Sequence, residues 1–241
     1  MHQPYERLVP GAESAVLFIH GILSTPRFWD GFVSALPGDV SVVSLLLPGH
    51  GGTVRDFGRV HRGAWRQHVH GAILRLKENH ARVYLVGHSM GALLSILEAV
   101  DSPESIAGLL LMAVPLRILV KPSALVHNML KGVGLGESRE ALATYYGTET
   151  DWRVWRYIGW IPRYLELFAL SRAARKVLPR LTTPTRAFRH GQDELVSPKS
   201  GALLAVCPAV TLRTLEDSMH HDIAPDDRQT LLDALGELCS K

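Results

Sequence analysis

Residues 83–100 read VYLVGHSMGALLSILEAV. An apolar run of β-forming residues stops at Gly87, one serine sits between two glycines, and a helical pattern starts at once. Such a corner has two readings. Ser89 can be an ordinary cap on the following helix, or a nucleophile held above the end of a sheet. Gly87-His88-Ser89-Met90-Gly91 matches G-x-S-x-G, the sharp strand-to-helix elbow in which side chains at the glycine positions would clash and the serine is forced into a strained, exposed conformation. The helix that follows aims its free N–H groups and partial positive charge at the same spot. Its setting between an apolar strand and an amphipathic helix favours the elbow over the cap.

A serine hydroxyl is a weak nucleophile until a base takes its proton, and the base needs a carboxylate to orient it. The elbow predicts the chain order Ser, acid, His. HGQDELVSP, after the fifth candidate strand, places Asp193 in a loop, and LEDSMHHDIAPDD, after the sixth, places His220 and His221 in another. In a parallel sheet both loops open on the edge where Ser89 lies. Asp193 is chosen over Glu194, Asp217 and Asp222 because its loop directly follows a strand. His220 is chosen over His221 because it comes first. A tetrahedral intermediate also needs two donors for its oxyanion. The Met90 amide is one candidate, and the Ile22 amide in His20-Gly21-Ile22-Leu23 is the other. The competing His50-Gly51-Gly52 is less well placed and reads as a shaped loop, with His50 in a structural hydrogen bond.

The rest of the chain alternates short β-rich runs with helical patterns. Strands are expected at Ala15–His20, Val40–Leu47, Arg82–Gly87, Ile106–Val114, Pro184–Arg189 and Ala209–Leu215. Several are continuously apolar, as strands buried on both faces of a parallel sheet are. Helices are expected near Pro26–Leu36, Val60–Asn79, Ser89–Val100, Ser197–Val206 and Pro225–Leu238. The pattern predicts a mostly parallel, doubly wound α/β sheet. From Pro115 to Pro179 no strand is legible, and a connection so long is not expected to lack structure of its own. The organisation expected is therefore a core of residues 1–114 and 180–241, with 115–179 inserted as a helical lid.

Composition narrows the function. With 241 residues, 46% of them hydrophobic, the chain can bury a substantial core. No run reaches the length of a membrane span and no signal-peptide pattern opens the chain. Cys207 and Cys239 are the only cysteines and lack the spacing of a metal site or a disulfide framework. These are the features of a soluble, cytoplasmic chain. Of the net charge of +3, Leu116–His190 supplies thirteen Lys and Arg against five Asp and Glu. That basic segment suits an anionic substrate, a transient lipid surface or a solvated helical face, and no nucleic-acid motif accompanies it. In the insert, Trp152, Trp155 and Ile158 would share a helical face, lining an acyl pocket, binding the rim of a lipid aggregate or pinning the lid to the core. Leu116, Ile118 and Leu119, directly after the fourth strand, are candidate pocket walls, with Leu23 and Val196 beside the site loops and Met129 and Leu130 further into the insert.

The set VLFIHGILSTPRFW, LLLPGHGGT, VYLVGHSMGALLSI, GQDELVSP and DSMHHDIAPDD resembles the α/β-hydrolase superfamily, and within it the bacterial carboxylesterase and monoacylglycerol-lipase-like branch. The resemblance covers nearly the whole chain except the middle segment. It implies Ser89 as nucleophile, Asp193 as acid, His220 as base, and Ile22 and Met90 as oxyanion donors. The implied activity is hydrolysis of small-molecule carboxylic esters of small to medium acyl chains, without metal or organic cofactor. A thioesterase or acyltransferase on the same three residues, and a binding protein that has lost catalysis, are the alternatives. Two departures stand out. The S-G-H of such esterases is here Ser218-Met219-His220-His221, which keeps His221 in play, and about fourteen residues before the first core strand are too few for a full antiparallel hairpin.

Overall fold

The computed structural model describes residues 2–119 and 153–239. Their strands are β1 (Tyr5–Arg7), β2 (Ser14–Ile19), β3 (Ser41–Ser44), β4 (Arg82–His88), β5 (Gly108–Met112), β6 (Thr185–His190) and β7 (Val210–Leu215). They form one seven-stranded sheet in the order β1-β3-β2-β4-β5-β6-β7. Every neighbouring pair is parallel except β1 with β3. β2 and β5 are buried along their whole length and β4 along nearly all of it, which is why they read as uninterrupted apolar runs. β7, at the edge, alternates instead.

Helices cover both faces. On one side lie α2 (Val54–Arg59), α3 (Arg62–Lys77), α4 (Met90–Asp101), α5 (Ile161–Val177) and α6 (Lys199–Ala205), whose apolar residues share a core cluster with Leu17, Ile19, Leu85 and Leu111. On the other, α1 (Asp30–Val33) and α7 (Pro225–Cys239) pack over Phe18, Val86, Leu110 and Phe188. Because β3 lies on one side of β2 and β4 on the other, the chain reverses direction across the sheet between β2 and β4. That reversal opens a crevice at the carboxyl ends of these strands, the usual ligand position in such sheets.

Several sequence expectations are amended. Pro26–Leu36 is not one helix: a 3-10 turn at Pro26–Trp29 leads into the single helical turn of α1. Two elements went unread. One is β1, whose three residues make a lone antiparallel edge in place of a full hairpin. The other is α2, started by Asp56, whose carboxylate accepts the Thr53 amide at 2.8 Å.

Of the segment expected as a lid, residues 120–152 lie outside those described, and with them Met129, Leu130 and Trp152. In the remainder, α5 lays Leu167, Leu170 and Ala174 into the core beside α4. Before it, Val154–Trp160 is a 3-10 helix, which puts Trp155 and Ile158 on one side. Both are exposed, at 58% and 65%, so neither lines an enclosed acyl pocket. Trp160 is attached to the core. Its indole donates to the Val54 carbonyl at 2.9 Å, and its ring packs edge-on against Phe57. Among the described residues no helix is long and apolar enough to cross a membrane.

Candidate active site

The turn after β4 has the geometry of an elbow. Ser89 adopts φ 52° and ψ −116°, a region costly for a residue with a Cβ. A Cβ on Gly87 would lie 2.8 Å from the backbone of Ala92, and one on Gly91 would collide with the Ile19 carbonyl. The turn passes so close to the end of β2 that only glycine fits there. α4 starts at Met90, so the serine stands at the positive end of a helix aimed along the switch-point crevice.

The loops after β6 and β7 bring the other two side chains in. His220 Nε2 lies 3.0 Å from Ser89 Oγ, and His220 Nδ1 lies 2.9 Å from Asp193 Oδ2. Asp193 is fixed in turn by the Leu195 and Val196 amides, which both donate to Oδ1 at 2.8 Å. Burial pushes the Asp193 carboxyl upward most strongly, but the bond to His220, its charge and the two amides together outweigh it and hold the pKa below 3.8. His221 stands alongside with its ring edge-on to His220. Of the rival acids, Glu194 accepts the His220 amide at 3.2 Å and Asp222 offers its carbonyl to the Met219 amide. Neither takes the place of Asp193.

The Ile22 and Met90 amides find no hydrogen-bond acceptor among the described residues. Gly21 lies close beside the serine, where an added Cβ would be 3.1 Å from Ser89 Cβ, so the turn carrying Ile22 borders Ser89 directly. Leu23, just beyond, is nearly buried with φ 59°.

The suggested pocket walls are placed as follows. Ile118 and Val196 form an antiparallel bridge that ties the chain after β5 to the Asp193 loop. Leu116 is fully buried and its carbonyl accepts from Ser171, whereas Leu119 is exposed. A cavity of about 30 Å³ lies beside Asp193, lined by Ala113, His190, Val196 and Ser200 among others. It has room for water. Among the described residues no group of three or more His, Cys, Asp or Glu side chains is arranged to hold a metal ion.

Residues that the sequence reading leaves as structural or unassigned hold this apparatus. His88 and His190 bond to main chain of the His220 loop, Phe28 stacks on His88 with ring centroids 4.5 Å apart, and Ser218 donates to Asp227 at 2.7 Å. His88 and His190 flank the serine and acid motifs, and that adjacency was the available signal. Their partners lie far along the chain.

A parallel sheet with this strand order and an elbow at its switch point define the α/β-hydrolase class. The family model for the alpha/beta hydrolase family matches residues 16–234, and the chain belongs to that family. Its relatives include lipases and esterases. A monoacylglycerol lipase of Xenopus laevis, abhd6-A, is 29% identical over 131 residues, 52% of this chain and 37% of that protein. The match thus spans little more than a third of the curated relative's length. Among solved structures, one from work on the metagenome-derived lipolytic enzymes LipS and LipT is 21% identical, with a TM-score of 0.77, and covers 99% of this chain and 98% of that one. The Paleococcus ferrophilus monoacylglycerol lipase is 18% identical at a TM-score of 0.70, again over 99% and 98%. At these identities the likeness speaks for the fold.

Proposed function

We propose that the protein is a serine hydrolase of carboxylic esters with small to medium acyl chains. The observation that carries this reading is the continuous line of contacts from Asp193 through His220 to Ser89, at 2.9 and 3.0 Å. The lipase and esterase relatives support the choice of ester.

In this mechanism Ser89 Oγ attacks the ester carbonyl carbon while His220 Nε2 takes its proton. The oxyanion of the tetrahedral intermediate accepts hydrogen bonds from the Ile22 and Met90 amides. Asp193 keeps the proton of neutral His220 on Nδ1, so that Nε2 is free to accept, and then stabilises the imidazolium. The alcohol leaves with the proton from His220. Water then attacks the acyl-serine by the same route, which regenerates the hydroxyl.

The test is hydrolysis of p-nitrophenyl esters from acetate to palmitate by the wild type and by Ser89→Ala. Turnover that peaks at one chain length and falls about four to six orders of magnitude in the variant is expected. Undiminished turnover in Ser89→Ala would refute the assignment. If Ser89 reacts with a fluorophosphonate but no ester is cleaved, the acyl group is a thioester or passes to another acceptor. No reaction with either would point to a binding protein.

A further inference from the structure

Two buried imidazoles outside the Ser89–His220–Asp193 line grip the main chain that carries His220. His88 Nε2 lies 2.8 Å from the His220 carbonyl oxygen, and His190 Nδ1 lies 2.6 Å from the Met219 carbonyl oxygen. A carbonyl only accepts, so the proton of each neutral ring sits on the nitrogen facing it. Both rings are buried, and burial is the main reason their pKa values are lowered. The remaining nitrogens, His88 Nδ1 and His190 Nε2, have no partner among the described residues. Two buried imidazoles committed to main-chain carbonyls of one loop call for an explanation besides packing.

Their positions supply one. His88 ends β4 and directly precedes Ser89, while His190 ends β6 three residues before Asp193. Consecutive carbonyls of the His220 loop are thus bonded to the two strand ends that carry the partners of His220. The Phe28 ring, stacked on His88, holds that imidazole in plane. The neighbouring His220 amide is held separately by Glu194.

We propose that His88 and His190 are positioning residues that lock the Met219–His220 main chain to the strand ends bearing Ser89 and Asp193, keeping His220 Nε2 within reach of the serine. This rests on the serine-hydrolase reading above. Neither residue touches the reacting atoms; each acts through His220.

The amide nitrogen of Gln reaches about as far as imidazole Nε2, and that of Asn about as far as Nδ1. His88→Gln and His190→Asn therefore keep the donor in place, whereas His88→Asn and His190→Gln displace it. The displaced variants are expected to lose about 10- to 100-fold in kcat on p-nitrophenyl esters with KM within about threefold, and the matched variants to stay within about threefold in both. Thermal midpoints of matched and displaced members of each pair should agree within a few degrees. Equal activity within the pairs, or a difference in midpoint without one in kcat, would overturn the proposal. Should a displaced variant not fold, the matched variants still decide. They must keep wild-type kcat and the low-field proton resonance of the His220 Nδ1–H, and losing either overturns the proposal. Ser89→Ala is measured alongside. If it stays active, the hydrolase reading fails and the positioning roles fail with it. If it is inactive while matched and displaced variants behave alike, only the positioning roles fail.

Discussion

The Leu23 amide donates to His50 Nε2 at 3.1 Å, tying the turn after β2 to the loop after β3. The other His50 nitrogen faces the Leu47 and Pro48 carbonyls at 3.2 Å. His20 returns the connection: its Nε2 accepts the Leu47 amide at 3.1 Å, and its Nδ1 donates to the Gly21 carbonyl. The two rings meet edge to face. Leu23 keeps a left-handed backbone that an unsupported leucine would avoid. The turn that presents the Ile22 amide is therefore pinned by two imidazoles, and each must be neutral to accept a main-chain N–H.

This arrangement predicts a loss of stability in mild acid. Burial, against the pull of the two carbonyls, pushes His50 down to about 4 from its ordinary 6.5. Between those values the unfolded chain binds a proton that the folded ring does not, so stability falls as pH falls. At pH 4.5 the His50 share is on the order of 2 to 3 kcal/mol. His20, His88 and His190 are shifted the same way. His50→Gln can replace the acceptor or the donor but not both, so it should be less stable than the wild type at pH 7. From pH 7 to 4.5 it should lose about 2 kcal/mol less than the wild type does. Urea unfolding at the two pH values checks this, and equal losses would exclude it.

How much of this was legible in sequence depended on how each feature is encoded. β2, β4 and β5 are buried runs with no polar alternation, so composition alone marks them. The convergence of Ser89, Asp193 and His220 was legible because each follows a strand, and parallel strands deliver their following loops to one edge. β1 was not legible: Tyr5–Arg7 is largely exposed and joins the sheet only through its main chain to β3, which leaves no apolar pattern. α2 is short and lies beside a glycine-rich loop, where only Thr53 and Asp56 signal a start. The grip of His88 on the His220 carbonyl spans 132 residues, and nothing in a histidine's identity gives that address.

Gly91 and Gly71 make a paired test of the elbow. A Cβ at Gly91 would enter the Ile19 carbonyl, which belongs to the sheet and cannot swing aside. Gly71 lies inside α3, with nothing within 4 Å of an added Cβ. Gly91→Ala is expected to cost about 3 kcal/mol or more and to displace the serine. Gly71→Ala should raise stability by roughly 0.5 to 1 kcal/mol, the gain of alanine over glycine in a helix. Denaturant midpoints of both variants settle the point, and a Gly91→Ala protein as stable as the wild type would mean the turn is looser than described.

Asp193→Asn should be as harmful as removing the side chain altogether, although it is nearly isosteric. The Leu195 and Val196 amides both donate to Oδ1, so in the variant the amide oxygen must occupy that place. The NH₂ group is then left where Oδ2 faces His220 Nδ1 at 2.9 Å. A donor there, closer to the ring nitrogen than Oδ1 at 3.1 Å, favours the His220 tautomer with its proton on Nε2, which cannot accept the serine proton. Turnover should fall about 10⁴-fold, and Asp193→Ala should be no slower, because its His220 can still reach the other tautomer. Added formate should partly restore the alanine variant and leave the asparagine variant unchanged. The wild-type carboxylate, held below 3.8, contributes stability that is fully present above that value and lost as pH falls through the folded pKa. Asp193→Asn should therefore leave the acid-induced loss between pH 6.5 and 4 intact and alter only what happens below it. Recovery of the asparagine variant in formate would show that the amide is not oriented by Leu195 and Val196.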